Sequence, residues 1–327
     1  MGVSNLIFSI LAWFSVFIFV FGSLLNGLMC VTLLKYRSLH TKESVLLLSM
    51  AISDLLCCLI AIPTSMISSF HKKWSFHDSG CTLHALVVTW CGIVSITHLA
   101  TLAFYRYRAM TAQLNQMISR RKTLYVALAL WTYSFVLAIM PVAGWSRYTK
   151  EGIGTSCSVD WQASDTEAIL FTIFMYLGAF VTPVVVIVFS YLKVCMEIRS
   201  MAGRADSMWG RMSHQAKMSL RSKRKMAILS FTMIVAFLIA WTPYATVSLI
   251  SVFGKSYWIG PVTASVPAYF AKSSNVYNPV IYFLLFKQFR VKVLDLLGSR
   301  CCRRSKRGDS TFHLRQREKH QSTSTRI

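Results

Sequence analysis

"AYFAKSSNVYNPVIY", residues 268–282, sets a lysine in the middle of a run that otherwise reads as membrane-spanning helix. An ammonium near the centre of a bilayer costs from about 2.5 to more than 10 kcal/mol. A chain that keeps Lys272 there must have a partner for it or a use for it.

The 327-residue chain is 54% hydrophobic and 14% charged, against about 25% charged residues in ordinary soluble domains. The apolar residues gather into windows of about 20 or more, long enough to cross ~30 Å of hydrocarbon. Seven such spans read at roughly 7–34, 43–69, 79–111, 123–145, 167–199, 222–253 and 259–285. No segment shows the alternating period of a transmembrane barrel strand. The first span lacks a basic start and a small-residue cleavage site, so it reads as a retained anchor rather than a signal peptide. The pattern predicts an all-α membrane protein, a seven-transmembrane helix bundle over 1–297. Residues 298–327 read as a basic, disordered cytoplasmic tail.

The net charge of +23 is not spread evenly. With the amino terminus outside, the inner segments hold 29 Lys/Arg and 6 Asp/Glu, while the outer loops hold five of each sign. Only this orientation obeys the positive-inside rule. The basic residues therefore read as topology determinants and contacts for an anionic lipid bilayer, not as a nucleic-acid patch. Asp54 and Lys272 are the two charges left inside spans.

Of nine cysteines, Cys30, Cys57, Cys58, Cys91 and Cys195 lie in or at the ends of spans and read as inert core residues. Cys81 and Cys157 both face the oxidising side and are the one pair open to a disulfide. Cys301 and Cys302 follow a basic amphipathic stretch, a setting in which palmitoylation is common. Ser310, Thr311, Ser322, Thr323, Ser324 and Thr325 are candidate phosphorylation sites, with a solvated tail as the plainer reading.

Each span also carries a polar or proline residue that hydropathy does not call for. They are Asn26 in "GSLLNG", Asp54 in "LSMAISDLL", "FYRYRAM", Trp131, Pro183 with Tyr191, "FLIAWTPYA", and "NVYNPVIY". Polar groups in lipid must find partners inside the protein. Taken singly, each could be a packing device or a proline kink. In this order, over about 15–295, they resemble the rhodopsin-like (class A) G-protein-coupled receptors.

The resemblance implies roles. Asn26, Asp54 and Asn278 would form a central polar cluster. Arg106 would meet a heterotrimeric G protein, with Tyr191 and Tyr282 beside it. Trp241 would be the switch under the ligand pocket and Pro243 the kink about which the sixth span swings. Cys81 and Cys157 would form the outer disulfide, and "KQFR" (287–290) would open a short amphipathic helix. Arrestin, a receptor kinase and the plasma membrane come with the same expectation. One departure stands out: Tyr105 occupies the place where the family carries an acid before Arg106. The inner end of the sixth span carries Lys223, Arg224 and Lys225. On this reading no acid holds Arg106, which leaves room for basal activity.

Within that family, a lysine six residues before the Asn-Pro pair marks the opsins, and Lys272 precedes Asn278 by six. A buried lysine loses pKa to desolvation and becomes a nucleophilic amine, able to condense with an aldehyde. The aldehyde would be retinal, held as a protonated or deprotonated Schiff base. The plainer alternative is a structural lysine that pairs with an acid or snorkels outward. The resemblance sets Thr89, Gly92, Tyr176, Phe180, Trp241 and Tyr244 around the chromophore, with Gly92 leaving room for its ring.

A protonated imine needs a counterion. Vertebrate visual opsins place an acid three residues beyond the disulfide cysteine of the third span; here that residue is His84. The second outer loop offers Glu151, six residues before Cys157, in "RYTKEGIGTSCSVDW". Arg147 and Asp160 resemble the ion pair that pins this loop, and Trp161 resembles a pocket wall. A neutral His84 would hydrogen-bond to the imine; a protonated one would favour the deprotonated, ultraviolet form. Dependence on a loop acid fits a bistable pigment. Phrases such as "IGTSCSVDW" and "VPAYFAKSS" are most similar to the non-visual, neuropsin-related opsins.

The sequence thus points to a light-sensing receptor rather than an enzyme. The alternative is a retinal photoisomerase with weak or absent signalling, which the Tyr105 departure keeps open. A receptor for a diffusible ligand would make Lys272 incidental. A microbial-type pump would lack "NPVIY" and the Arg106 motif.

Overall fold

In lipid a lone segment can satisfy its backbone hydrogen bonds only by coiling, and every apolar run in this chain is helical. The computed structural model describes residues 3–111, 118–163, 165–208, 214–255 and 259–298, with the backbone course alone for 201–208, 214–220 and 254–255. The first span is α1 (Asn5–Lys35), started by Ser4, whose hydroxyl accepts the Leu6 N–H. The second is α2 (Lys42–Leu56), a π-helical turn (Cys57–Ala61) and α3 (Ile62–Phe70). The third and fourth are α4 (Asp78–Thr111) and α5 (Arg120–Ile139). The fifth is α6 (Thr166–Tyr176), a π turn (Leu177–Val181) and α7 (Thr182–Met208). The sixth is α8 (His214–Ile250), ending in a π turn (Ser251–Lys255). The seventh is α9 (Pro261–Lys272) and α10 (Ser274–Leu285), and the short α11 (Lys287–Leu296) follows.

Six spans are helices long and apolar enough to cross a membrane; the seventh is broken at Ser273, directly after Lys272. There the chain tightens, with Ser273 N–H donating to the Phe270 carbonyl and Val276 N–H to the Ser273 carbonyl, each 3.0 Å. Farther along, Pro279 has no N–H for the Asn275 carbonyl one turn back. Asn26 of the first span donates to that carbonyl instead, at 2.7 Å.

The core is packed between the second, third, sixth and seventh spans, around Leu46, Met50, Leu99, Leu102, Met233 and Phe237. Large apolar side chains face outward, among them Trp13 (65% exposed), Tyr125 (70%) and Leu192 (61%). Water would penalise such a belt, whereas lipid accepts it.

Three features depart from the sequence reading. The fourth span ends at Ile139 rather than near 145, because Pro141 follows and Gly144 takes a positive φ of 101°. Cys195 is exposed, not a core residue. Between the fourth and fifth spans lies a hairpin of β1 (Tyr148–Glu151) and β2 (Ser156–Val159), antiparallel, with Glu151 opposite Ser156. The extensions of the fifth and sixth spans into the third inner loop reach Met208 and begin at His214. Cys301, Cys302 and the tail Ser/Thr residues lie outside the described residues.

Candidate functional site

The hairpin is tied to the third span by the Cys81–Cys157 disulfide, with Cα atoms 5.5 Å apart. All four residues of β2 are buried. The strand therefore lies across the end of the bundle as a lid, and beneath it is a cavity with about 890 Å³ of space not filled by atoms, part of it open to the exterior. Its mostly apolar wall, with a few polar groups, suits a small apolar ligand. Thr89, Gly92, Glu151, Trp161, Tyr176, Phe180, Trp241, Tyr244 and Lys272 all line it, so most of the expected pocket residues share one space. His84 is not among its lining residues.

Lys272 is 4% exposed. Its Nζ donates to the Ser156 hydroxyl at 2.5 Å and lies 4.8 Å from the centre of the Tyr269 ring. No ion pair to it is found among the described residues. Ser156 also meets His84 Nε2 at 3.3 Å, while His84 Nδ1 meets the Thr64 hydroxyl at 2.8 Å. His84 thus reaches Lys272 through Ser156 rather than directly. Ser156 was not among the expected site residues; its place beside Cys157 was the only signal for it.

Glu151 stands opposite Ser156 across the hairpin, with the Ser158 and Tyr244 hydroxyls nearby. Burial pushes its carboxyl above the usual range, opposed by the nearby Lys272 charge and by those hydroxyls. The Tyr244 hydroxyl accepts from Trp161 Nε1 at 2.8 Å. Behind them Arg147 Nε pairs with Asp160 Oδ2 at 2.7 Å, and this hydrogen bond raises the Arg147 pKa.

Below the lysine, Trp241 Nε1 donates to Ser274 at 3.0 Å, and its ring stacks on Phe237 at 5.5 Å between centroids. The side of Gly92 was expected to be open to a ligand ring. It is taken by Trp241 instead: a Cβ added at Gly92 would come 2.7 Å from the indole Cη2. Tyr176 joins the fifth span to the sixth through the Ala245 carbonyl and the Ser248 hydroxyl, both at 2.5 Å.

Of the expected polar cluster, Asp54 accepts from Asn278 at 3.1 Å and from Ser95 at 3.2 Å. Asn26 instead serves the seventh-span backbone described above.

At the opposite end of the bundle the sequence reading is overturned. Arg106 does have an acid: Nη1 is 3.5 Å from Glu43 Oε1, and both side chains are largely buried. The acid comes from the first turn of α2, not from the third or sixth span, where it was sought. The Tyr191 and Tyr282 hydroxyls lie within electrostatic reach of the same guanidinium. Tyr191 donates to the Ala227 carbonyl at 3.1 Å, and Tyr282 packs on Phe289 at 4.7 Å. Tyr105 is buried, and Lys42 Nζ lies 5.9 Å from its ring centre.

Comparison with known proteins agrees with this geometry. The model of the seven-transmembrane receptors of the rhodopsin family matches residues 25–282. The chain belongs to this rhodopsin-like, class A family, whose members are receptors rather than enzymes. Its relatives place it with the opsins. Melanopsin of Phodopus sungorus is 33% identical over 280 residues, covering 84% of this chain and 60% of that protein. Rhodopsin of Enteroctopus dofleini is 32% identical over 280 residues, covering 83% and 61%. The chain thus spans about three fifths of the length of these relatives. The crystal structure of squid rhodopsin superposes with a TM-score of 0.86 at 27% identity, covering 93% of this chain and 89% of that one.

Proposed function

We propose that this chain is a light-sensing, non-visual opsin that carries retinal on Lys272 and signals to a heterotrimeric G protein. One observation carries the reading: a single buried amine opens into an aromatic, largely apolar cavity, and its direct partner is a hydroxyl rather than a carboxylate. An elongated apolar aldehyde fits that wall, and among the described residues Lys272 is the one amine lining it. When bound, retinal would supply absorption of light and a change of shape.

The residues around it have separable tasks. Ser156 orients the Lys272 nitrogen by accepting its hydrogen bond. Glu151 supplies negative charge to the same cavity and serves as counterion. His84 acts through Ser156 and tunes the nitrogen without touching it. Trp241 couples the cavity to the seventh span through Ser274, and Pro243, two residues on, is the kink about which the sixth span moves. Movement there opens the end that holds Arg106. A counterion on the loop rather than on the third span supports a bistable pigment.

The basic face around Arg106 is then cytoplasmic, the amino terminus is extracellular, and the membrane is the plasma membrane. Arrestin and a receptor kinase would act at the tail after residue 298. The Glu43–Arg106 pair supports the receptor reading over a photoisomerase, since it gives the arginine an acid despite the Tyr105 departure.

The test is reconstitution with 11-cis and all-trans retinal, followed by spectra and nucleotide exchange on purified G proteins. A chromophore band that Lys272→Ala abolishes, with light-dependent exchange, is the expected result. Catalytic release of isomerised retinal without exchange would favour the photoisomerase. Complete thermal release after one flash would end the bistable reading.

A further inference from the structure

We propose that Glu43 is the positioning residue for Arg106, and that parting this pair is the step that frees the arginine for a G protein. The inference rests on the receptor reading above and adds to it a lock on a span where none was expected.

The local sequence accounts for the placement. In "HTKESV" Thr41 caps α2, accepting the Ser44 N–H, and Ser44 accepts the Thr41 N–H in return. This reciprocal cap fixes the first turn of α2. Glu43 sits in that turn, where the exposed N–H groups of the helix favour a carboxylate. Lys42, one residue earlier, is set against the Tyr105 ring instead. Two adjacent residues of α2 thus address two adjacent residues of α4. The aromatic ring that replaces the family's acid is matched with a cation, and the arginine is matched with a carboxylate from another helix.

The rest of the guanidinium shows that the pair is a hold rather than a full burial. Arg106 Nε is buried with no hydrogen-bond partner, and the single contact to Glu43, at 3.5 Å, is not bidentate. A fork of five donors with unused capacity can exchange one carboxylate for the carbonyls or carboxylate of an inserted peptide. The lock also depends on the second span, so it can open without any acid on the moving sixth span.

The experiment compares wild type, Glu43→Gln and the double variant Glu43→Gln/Tyr105→Glu, each loaded with retinal. Their dark absorption spectra should coincide, which establishes folding. Dark nucleotide exchange should rise about fivefold or more in Glu43→Gln, the low end of ordinary coupling between sites. It should fall back in the double variant, which returns an acid beside the arginine; a purely structural loss would not be rescued in this way. Dark exchange equal to wild type in Glu43→Gln overturns the proposal. Should wild type itself fail to drive exchange, the receptor reading fails and the lock is judged separately. Spin labels on cysteines introduced at Thr111 and Lys225, with Cys195, Cys301 and Cys302 replaced by serine, report the separation of the third and sixth spans. A longer dark distance in Glu43→Gln supports the lock, and an unchanged one sinks it.

Discussion

Replacing Glu151 by glutamine removes one negative charge from the cavity wall while keeping the size of the side chain. Glu151 and Lys272 line the same cavity, yet no ion pair within 4.0 Å joins them. Coulomb's law at an effective dielectric of about 20 then caps their interaction near 4 kcal/mol. At about 1.4 kcal/mol per tenfold change, this caps the effect on protonation of the retinal imine at about a thousandfold. The sign follows from charge: a carboxylate favours the protonated nitrogen, so its loss lowers that pKa. The retinal-loaded Glu151→Gln protein should therefore lose its long-wavelength band to an ultraviolet one at a lower pH than wild type, by up to about 3 units. Because burial raises the pKa of Glu151 itself, wild type should show a further spectral transition as acid neutralises this carboxyl, above the ordinary carboxylate range. The glutamine variant should lack it. Spectrophotometric titration reads both, with Lys272→Ala as the blank. A nitrogen pKa unchanged to within about half a unit would mean that the counterion lies elsewhere.

Three further outcomes test the architecture. Gly92→Ala drives a methyl group into the Trp241 indole and should cost about 1–3 kcal/mol by overpacking; an unchanged thermal midpoint would mean that the indole gives way freely. Asn26→Ala leaves the Asn275 carbonyl without its donor, a loss of about 1–3 kcal/mol that denaturation midpoints would reveal; no loss would mean that water or a neighbour replaces the amide. Cys81→Ala opens a loop closed over 76 residues and should cost about 4 kcal/mol; a cost below about 1 kcal/mol would show that the hairpin stays seated by packing alone.

The spans were legible because each is an uninterrupted apolar run, and the pocket because its residues keep the spacing of a known family around Lys272. What could not be read was how residues from separate elements meet. Ser156 gains its role only when β2 lies over Lys272, and a hairpin of two four-residue strands leaves little pattern in a loop. Glu43 was counted as one inner-face acid among six. Nothing in a linear string says that the first turn of α2 reaches the end of α4. Gly92 was recognised as a place where space matters, but which side chain fills that space is a question of packing. The early end of the fourth span was open to reading from Pro141 and Gly144, and apolar residues beyond them concealed it.

The hairpin has a consequence for anything that touches the outside of the molecule. Glu151 and Ser156, the charge and the hydroxyl that attend Lys272, are opposite members of one strand pair, and the pair is bolted to the third span by a disulfide. They cannot be adjusted independently, since a tilt of the hairpin shifts both against the same nitrogen. The exposed turn at Gly152 is continuous with that pair. In the retinal-bound pigment proposed above, an antibody fragment or a neighbouring protein that grips the turn would act as a hand on a tuning dial, its grip read from outside as a change of colour.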